Sequence, residues 1–230
     1  VPEVSYFLRT PIASIRVALE IAAEGDGETA RELLPGITSD LGELENLVED
    51  ILITARLDLA AGRGGDGAPP LRLEPLTPPL LVAQAASRFR LAYPKHRLLI
   101  EQDATDCELR ADSALLRRAL DNILDNAGKY SDPGNSVTLV ARDAGDELHL
   151  EVHDNGIGLT EDDQRNLFTP FFRSDRSRNR STGGVDLGLT LARRIVEAHR
   201  GAISVESSAT TGTTVRFIIP LQPLPAGEKS

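Results

Sequence analysis

The sequence predicts an N-terminal α-helical hairpin, which makes a four-helix bundle as a dimer, followed by an α+β two-layer sandwich. Three observations predict it. Apolar residues in the first 60 positions recur at spacings of three and four, the stripe of a helix. Beyond position 70, helical patterns mix with short alternating runs, the mark of an α+β unit. Between the two, residues 61–70 (AGRGGDGAPP) concentrate Gly and Pro and break both patterns. The expected organisation is a hairpin over 1–60, a linker over 61–70, a second domain over 71–222 and a flexible tail over 223–230.

In the first helix the stripe is Val4, Leu8, Ile12, Ile15, Leu19 and Ala22. In the second it is Leu34, Ile37, Leu41, Leu44, Val48, Ile51 and Ala55, close to a heptad seam. The break at Glu24–Glu28 is short enough for an antiparallel turn. Two helices with one stripe each make a thin core. Pairing two hairpins buries both stripes, so a homodimer through residues 1–60 is expected. The alternative is a hairpin that packs on its own second domain.

Past the linker, Pro78–Tyr93 has a helical pattern and Arg97–Gln102 that of a strand. Asp112–Tyr130 predicts a long amphipathic helix with Leu115, Leu116, Ala119, Leu120, Ile123, Leu124 and Ala127 on one side, and Asp112 or Ser113 as N-cap. Val137–Arg142 and Leu148–Asp154 alternate as strands around a turn at Asp143–Asp146. Leu187–His199 is helical. Ala202–Ser207 and Thr213–Pro220 predict a closing hairpin, giving one mostly antiparallel sheet with helices on one face.

Composition excludes several classes. The 230 residues carry a net charge of -10, with 13 acidic against 5 basic side chains in residues 1–66, so wrapping nucleic acid is not expected. One cysteine, Cys107, forms no internal disulfide and no cysteine-rich zinc site. His96, His149, His153 and His199 show no metal-ligand spacing. No run approaches the roughly 18 apolar residues of a membrane helix. The chain opens on Val1 and contains no Met, so it is expected to be a piece of a longer protein, with any membrane or sensor segment upstream of Val1. The lone cysteine fits a reducing, cytoplasmic compartment, and the excess of Arg over Lys a bacterial source.

Four motifs carry chemistry. Asp154 to Gly158 (DNGIG) sets an acid at a strand end before two glycines, which admits close backbone approach to a ligand or makes a plain turn. Asn122 and Asn126 are four apart on one helical face, with Lys129 beside them. Carboxamide oxygens suit Mg²⁺ and a lysine suits phosphate, or the face is simply solvated. Thr182 to Leu189 (TGGVDLGL) is Gly-rich and opens a helix, after a basic stretch with Arg173, Arg176, Arg178 and Arg180. Thr211 to Thr214 leads into the last strand.

The order and spacing of these motifs resemble the catalytic core of sensor histidine kinases. NILDNAGKYS resembles the N box, DNGIG the G1 box, LFTPFFRSD the F box and GGVDLGL the G2 box of their Bergerat-type ATP-binding domain. The hairpin resembles the dimerisation and phosphotransfer domain, and Ser5 to Pro11 (SYFLRTP) lines up with its S-H-E-L-R-T-P box. The resemblance implies ATP or ADP with Mg²⁺ as ligand and a response regulator or another histidine kinase as partner. It implies that Asp154 accepts the adenine amino group, that Gly156 and Gly158 shape the adenine pocket, and that Asn126 holds the metal with Asn122 beside it. Lys129 and Tyr130 would lie along the nucleotide, Arg173 would reach the γ-phosphate, and Thr213 would stand behind the adenine. Gly183, Gly184, Gly188 and Leu189 would form the lid base and the helix N-terminus over the phosphates.

The departures bear on function. Tyr6 stands where the family has its phospho-accepting His, and Phe7 where it has the acidic base. A phenol with a pKa near ~10 needs a base to become a nucleophile, and Phe7 is none. Tyr6 also lies about 200° around the helix from Val4 and Leu8, at roughly 100° per residue, away from the seam. Tyr6 and Phe7 are then a docking surface, an unusual acceptor or an introduced replacement. Asp186 occupies the third Gly of the G2 box, where it brings charge against phosphate or caps the following helix. Thr10, one turn after Tyr6, matches the family's phosphatase position or is a local cap before Pro11. The leading expectation is a degenerate (pseudo) kinase that signals by binding partners. The alternative is an active ATP-dependent kinase that uses Tyr6 or whose box was altered. A gyrase- or MutL-like ATPase clamp fits less well, because those proteins lack the hairpin.

Overall fold

The structure, a computed structural model, describes residues 2–25, 27–61, 71–104, 109–170, 172, 187–208 and 211–221; the side chains of 2–11, 30, 43, 60 and 61 lie outside that description. Two long helices open the chain, α1 (Pro2–Glu24) and α2 (Gly27–Ala61). They pack on each other as the antiparallel hairpin that the stripes predict. The helix α2 passes through Pro35 without ending.

The second part contains β1 (Glu74–Leu76), α3 (Pro78–Ala92), β2 (Arg97–Gln102), β3 (Leu109–Ala111), α4 (Ser113–Tyr130), β4 (Ser136–Asp143), β5 (Glu147–Asp154), α5 (Glu161–Asn166), α6 (Gly188–Ala198), β6 (Ala202–Ser208) and β7 (Gly212–Pro220). Five strands form one sheet in the order β2-β4-β5-β7-β6. Only the β2–β4 pair is parallel among them; the other three pairs are antiparallel. β1 and β3 form a separate two-stranded sheet, which the sequence patterns did not predict.

Period-two alternation explains the layers. Leu148, Leu150, Val152 and Asp154 of β5 point to the buried face, while His149, Glu151 and His153 are half-exposed on the other. The buried face meets α3, α4 and α6. Leu116, Leu120, Ile123 and Leu124 of α4 and Leu191 and Ile195 of α6 are almost wholly buried against it. At roughly 25 cal/mol per Å² of apolar surface, such side chains contribute about 2 kcal/mol each.

Polar groups fix the ends of the two helices that frame the site. Asp112 caps α4 by accepting from the Leu115 N–H at 3.2 Å. His199, at the end of α6, accepts from the Asp112 N–H at its Nε2 (3.0 Å) and donates from Nδ1 to the Ile195 carbonyl (2.8 Å). Burial lowers the pKa of His199, which suits this neutral tautomer. The N-cap position of α6 is Leu187, which makes no side-chain cap bond, so the helix begins one residue later than expected; Asp186, considered as its cap, lies outside the described residues.

The hairpin also docks on the second part of its own chain. Leu57 is buried in the common core, with Ile53 packed beside it, and α2 contacts α6. Meanwhile Ile12, Leu19, Leu34, Leu41 and Val48 of the expected seam are about half exposed. The docking face of α2 is therefore a second stripe, Leu47, Asp50, Ile53 and Leu57, distinct from the heptad seam. Among the described residues, no helix is long and apolar enough to cross a membrane.

Candidate functional site

The site lies between α4, the end of β5 and the start of β7. Helix α4 carries Asn122, Asn126, Lys129 and Tyr130 along its last two turns. The Asn122 Nδ2 reaches the carbonyl of Gly188 at 3.4 Å, which ties α4 to the first turn of α6. The Asn126 Nδ2 is buried and has no hydrogen-bond partner. Lys129 pairs with Asp125 at 2.6 Å. The Tyr130 carbonyl accepts from the Ile157 N–H at 3.2 Å and so fastens the loop after β5 to the end of α4.

Asp154 ends β5 with its side chain pointing into the core, 7% exposed. Its Oδ1 accepts the Gly156 N–H at 2.8 Å. Burial raises its pKa, against the lowering effect of backbone N–H groups of Gly156 and Thr213. Two glycines permit this geometry. A Cβ at Gly156 would stand 2.4 Å from the Tyr130 carbonyl oxygen. Gly212, with φ +80°, lies so close to Asp154 that a Cβ would stand 1.9 Å from its carbonyl oxygen.

These groups surround one pocket. Asn126, Tyr130, Asp154, Gly158, Leu189 and Thr213 line it, with apolar walls from Ile123, Ala127, Val152, Ile157, Leu159, Leu167, Phe172 and Val215. Asn122, Lys129, Gly156 and Gly188 adjoin it without lining it. A mainly apolar slot with one buried carboxylate suits a flat heteroaromatic ring that donates from an exocyclic amino group, because the carboxylate has acceptors left to satisfy. The Asn126 Nδ2, unpartnered among the described residues, suits a phosphate oxygen, and the carboxamide oxygen suits a cation. Among the described residues no cluster of three or more His, Cys, Asp or Glu could hold a metal by itself. The donors thus fit a Mg²⁺ carried largely by phosphate oxygens and water.

Of the remaining expected site residues, Arg173, Gly183, Gly184 and Asp186 lie outside the described residues. So do the side chains of Tyr6, Phe7 and Thr10, whose backbone belongs to α1. Sequence reasoning missed Ser207 and Gln164. The Ser207 hydroxyl accepts from the Leu159 N–H at 2.9 Å, donates to the Gly212 carbonyl at 2.8 Å and meets Thr213 Oγ1 at 2.9 Å. Gln164 on α5 donates to the Ser207 carbonyl at 2.9 Å. They brace Thr213 and the loop after Gly158. No spacing in the sequence could announce them, because the Ser207–Thr213 pairing exists only in the β6–β7 register. Asp125 and Tyr93 were missed as well.

Comparison with known proteins agrees with this geometry. Residues 111–223 match the family "Histidine kinase-, DNA gyrase B-, and HSP90-like ATPase", and residues 4–60 match the "His Kinase A (phospho-acceptor) domain". The chain is 32% identical over 228 residues to the sensor-like histidine kinase SenX3 of Mycolicibacterium smegmatis, covering 98% of this chain and 58% of that protein. It is 30% identical to SenX3 of Mycobacterium tuberculosis, covering 96% and 53%. The chain thus spans a little over half the length of these curated relatives. The structure of the Acinetobacter baumannii histidine kinase AdeS has the same fold, with a TM-score of 0.69 at 23% identity, covering 94% of this chain and 98% of that one. The mycobacterial sensor histidine kinase MprB superimposes with a TM-score of 0.57 at 26% identity, covering 66% of this chain and 99% of that one.

Proposed function

The chain belongs to the sensor histidine kinases of two-component systems, and from that premise we propose that it is a nucleotide-binding signalling core that transfers no phosphate to a histidine of its own hairpin. The observation that carries the nucleotide half is the buried Asp154 carboxylate in an apolar pocket that Asn126 also lines. The matched ATPase family supports ATP as the ligand. Asp154 accepts from the adenine amino group, Thr213 and Tyr130 flank the ring, and Asn126 holds Mg²⁺ with Asn122 beside it. The metal supplies charge neutralisation to the phosphates. Gly188 and Leu189 open α6 over them.

The second half rests on composition. All four histidines lie at or beyond position 96, so residues 1–60 contain none. Tyr6 and Phe7 offer neither a nucleophile ready near neutral pH nor a base to activate one. Output then depends on binding. The partner is a response regulator or another histidine kinase, met through a homodimeric hairpin; ThkA, a histidine kinase of the same fold, has been solved with the response regulator protein TrrA at a TM-score of 0.70 and 22% identity. Half-exposed seam residues such as Leu41 and Val48 support the dimer. A second reading, Tyr6 as acceptor, is favoured by its place in the SYFLRTP segment.

Incubation with labelled ATP separates these readings. The chain should take up no acid-labile phosphate, while the double variant Tyr6→His with Phe7→Glu should gain label that is acid-labile and base-stable. Stoichiometric labelling of the unaltered chain would overturn the proposal, and acid-stable label lost in Tyr6→Phe would establish the second reading.

A further inference from the structure

The lysine assigned to phosphate is already engaged. Lys129 Nζ lies 2.6 Å from Asp125 Oδ2, one turn back on α4. Asp125 is itself held from the other side. The Tyr93 hydroxyl donates to its Oδ1 and also lies 3.1 Å from its backbone carbonyl. Tyr93 has little freedom to leave. Its ring stacks on Phe89 at 5.2 Å and stands edge-on to His96 at 5.5 Å. It also lies so tightly on Gly128 that a Cβ there would come within 2.7 Å of it. One carboxylate oxygen is thus committed to α3 and the other faces the Lys129 ammonium.

We propose that Asp125 is a positioning residue that holds Lys129 beside Asn126 and makes phosphate binding an exchange of partners on one ammonium. This rests on the reading that the pocket takes a nucleoside diphosphate or triphosphate. Lys129 lies one helical turn from Asn126, which lines the pocket and whose buried Nδ2 has no partner among the described residues. An ammonium clamped by a carboxylate presents almost no net charge to an incoming anion. Phosphate must displace the carboxylate, which then stands close by as a like charge. Mg²⁺ on the nucleotide weakens that repulsion. Asp125 therefore selects against the metal-free nucleotide and leaves adenine recognition at Asp154 untouched.

Calorimetric titration of the full chain with ADP, ADP plus Mg²⁺ and adenosine tests this. Asp125→Asn should bind metal-free ADP about threefold to tenfold more tightly, the range of one partly exposed charge-assisted contact. The gain should be smaller with Mg²⁺ and absent for adenosine. Lys129→Met alone should weaken metal-free ADP binding more than Lys129→Met does in the Asp125→Asn background, because the carboxylate then stands unpaired beside the phosphates. Asp125→Ser serves as a second variant if Asn disturbs α4. Unchanged or weaker ADP binding in both variants, or a parallel change for adenosine, would overturn the inference alone. A parent chain that binds neither ADP nor adenosine would overturn the pocket reading and the inference with it.

Discussion

Arg118 of α4 closes on Asp50 of α2, its Nε donating to Asp50 Oδ1 at 2.9 Å, and so joins the hairpin to the helix that lines the pocket. The same guanidinium donates to the Asn46 side chain at 2.9 Å and to the Asn46 carbonyl at 3.1 Å. Asp50 is 8% exposed. Burial raises its pKa, and Arg118 pulls it back down. Arg118 lies one turn before Asn122 on the same face of α4, so hairpin docking and the Asn122–Asn126 side of the pocket share one helix. Removing Arg118 leaves a buried carboxylate without its countercharge. Arg118→Ala should lower stability by about 2 kcal/mol near neutral pH. With Arg118 gone the Asp50 pKa rises further, and once both proteins carry neutral Asp50 the difference shrinks. Denaturant unfolding as pH is lowered checks this; a constant difference would mean the pair contributes no charge pairing.

Asp154 offers an opposed effect on binding and stability. Its folded pKa is raised, so the folded state binds more protons than the unfolded state between the ordinary carboxylate value and the raised one. Its charge therefore costs stability above that window, and the cost is relieved as pH falls through it. Adenine needs the ionised form. Nucleotide affinity should fall on acidification at a higher pH than an ordinary carboxylate would give. Asp154→Asn should abolish nucleotide binding while melting at or above the parent temperature, a gain of up to about 1 kcal/mol. Calorimetry and thermal melts on one preparation check both halves.

Gly212 has no substitute at the mouth of the β6–β7 hairpin. Its φ of +80° disfavours any side chain, and the Asp154 carbonyl oxygen occupies the space of a Cβ. Gly212→Ala should destabilise the domain by about 3 kcal/mol or more. The β5–β7 amides should lose hydrogen-exchange protection first.

Arg200 carries the opposite opportunity. It follows α6 with φ 61°, the only described residue besides glycines with positive φ. The Gly201 N–H returns to the Val196 carbonyl at 2.9 Å, closing the helix end. Arg200→Gly should stabilise the protein by about 0.5–1 kcal/mol, because glycine meets this conformation without a Cβ penalty. Chemical denaturation measures it, and nucleotide affinity should not change.

The bundle seam makes a fifth test. Leu41 and Val48 are half exposed on α2, off the docking stripe. Leu41→Glu with Val48→Glu should convert a dimer to a monomer in sedimentation without shifting the Arg118–Asp50 contact.

How far the sequence revealed all this depends on where each signal resides. Long elements were legible because their apolar period repeats many times: β2 falls at Arg97–Gln102 as expected, and α4 begins one residue later than expected, behind its Asp112 cap. β1 and β3 escaped because three residues cannot show alternation, although Leu76 and Leu109 are paired and buried. The short α5 escaped as well, although its capping box, Thr160 with Asp163, is a local signal that could have found it. The docking face of α2 was hidden because its central residue, Asp50, is charged and reads as solvated until Arg118 is placed against it. In the site, Asn126 and Asp154 were legible because each belongs to a local motif. Ser207, Tyr93 and Asp125 were not, because each matters through partners supplied by another strand or helix.

The central claim is that the pocket at Asp154 binds a nucleotide. Titration of ATP with Mg²⁺ into the purified chain, followed by heat, tests it most directly. The account predicts saturable binding in the micromolar range, lost in Asp154→Asn. No heat up to millimolar nucleotide would contradict it.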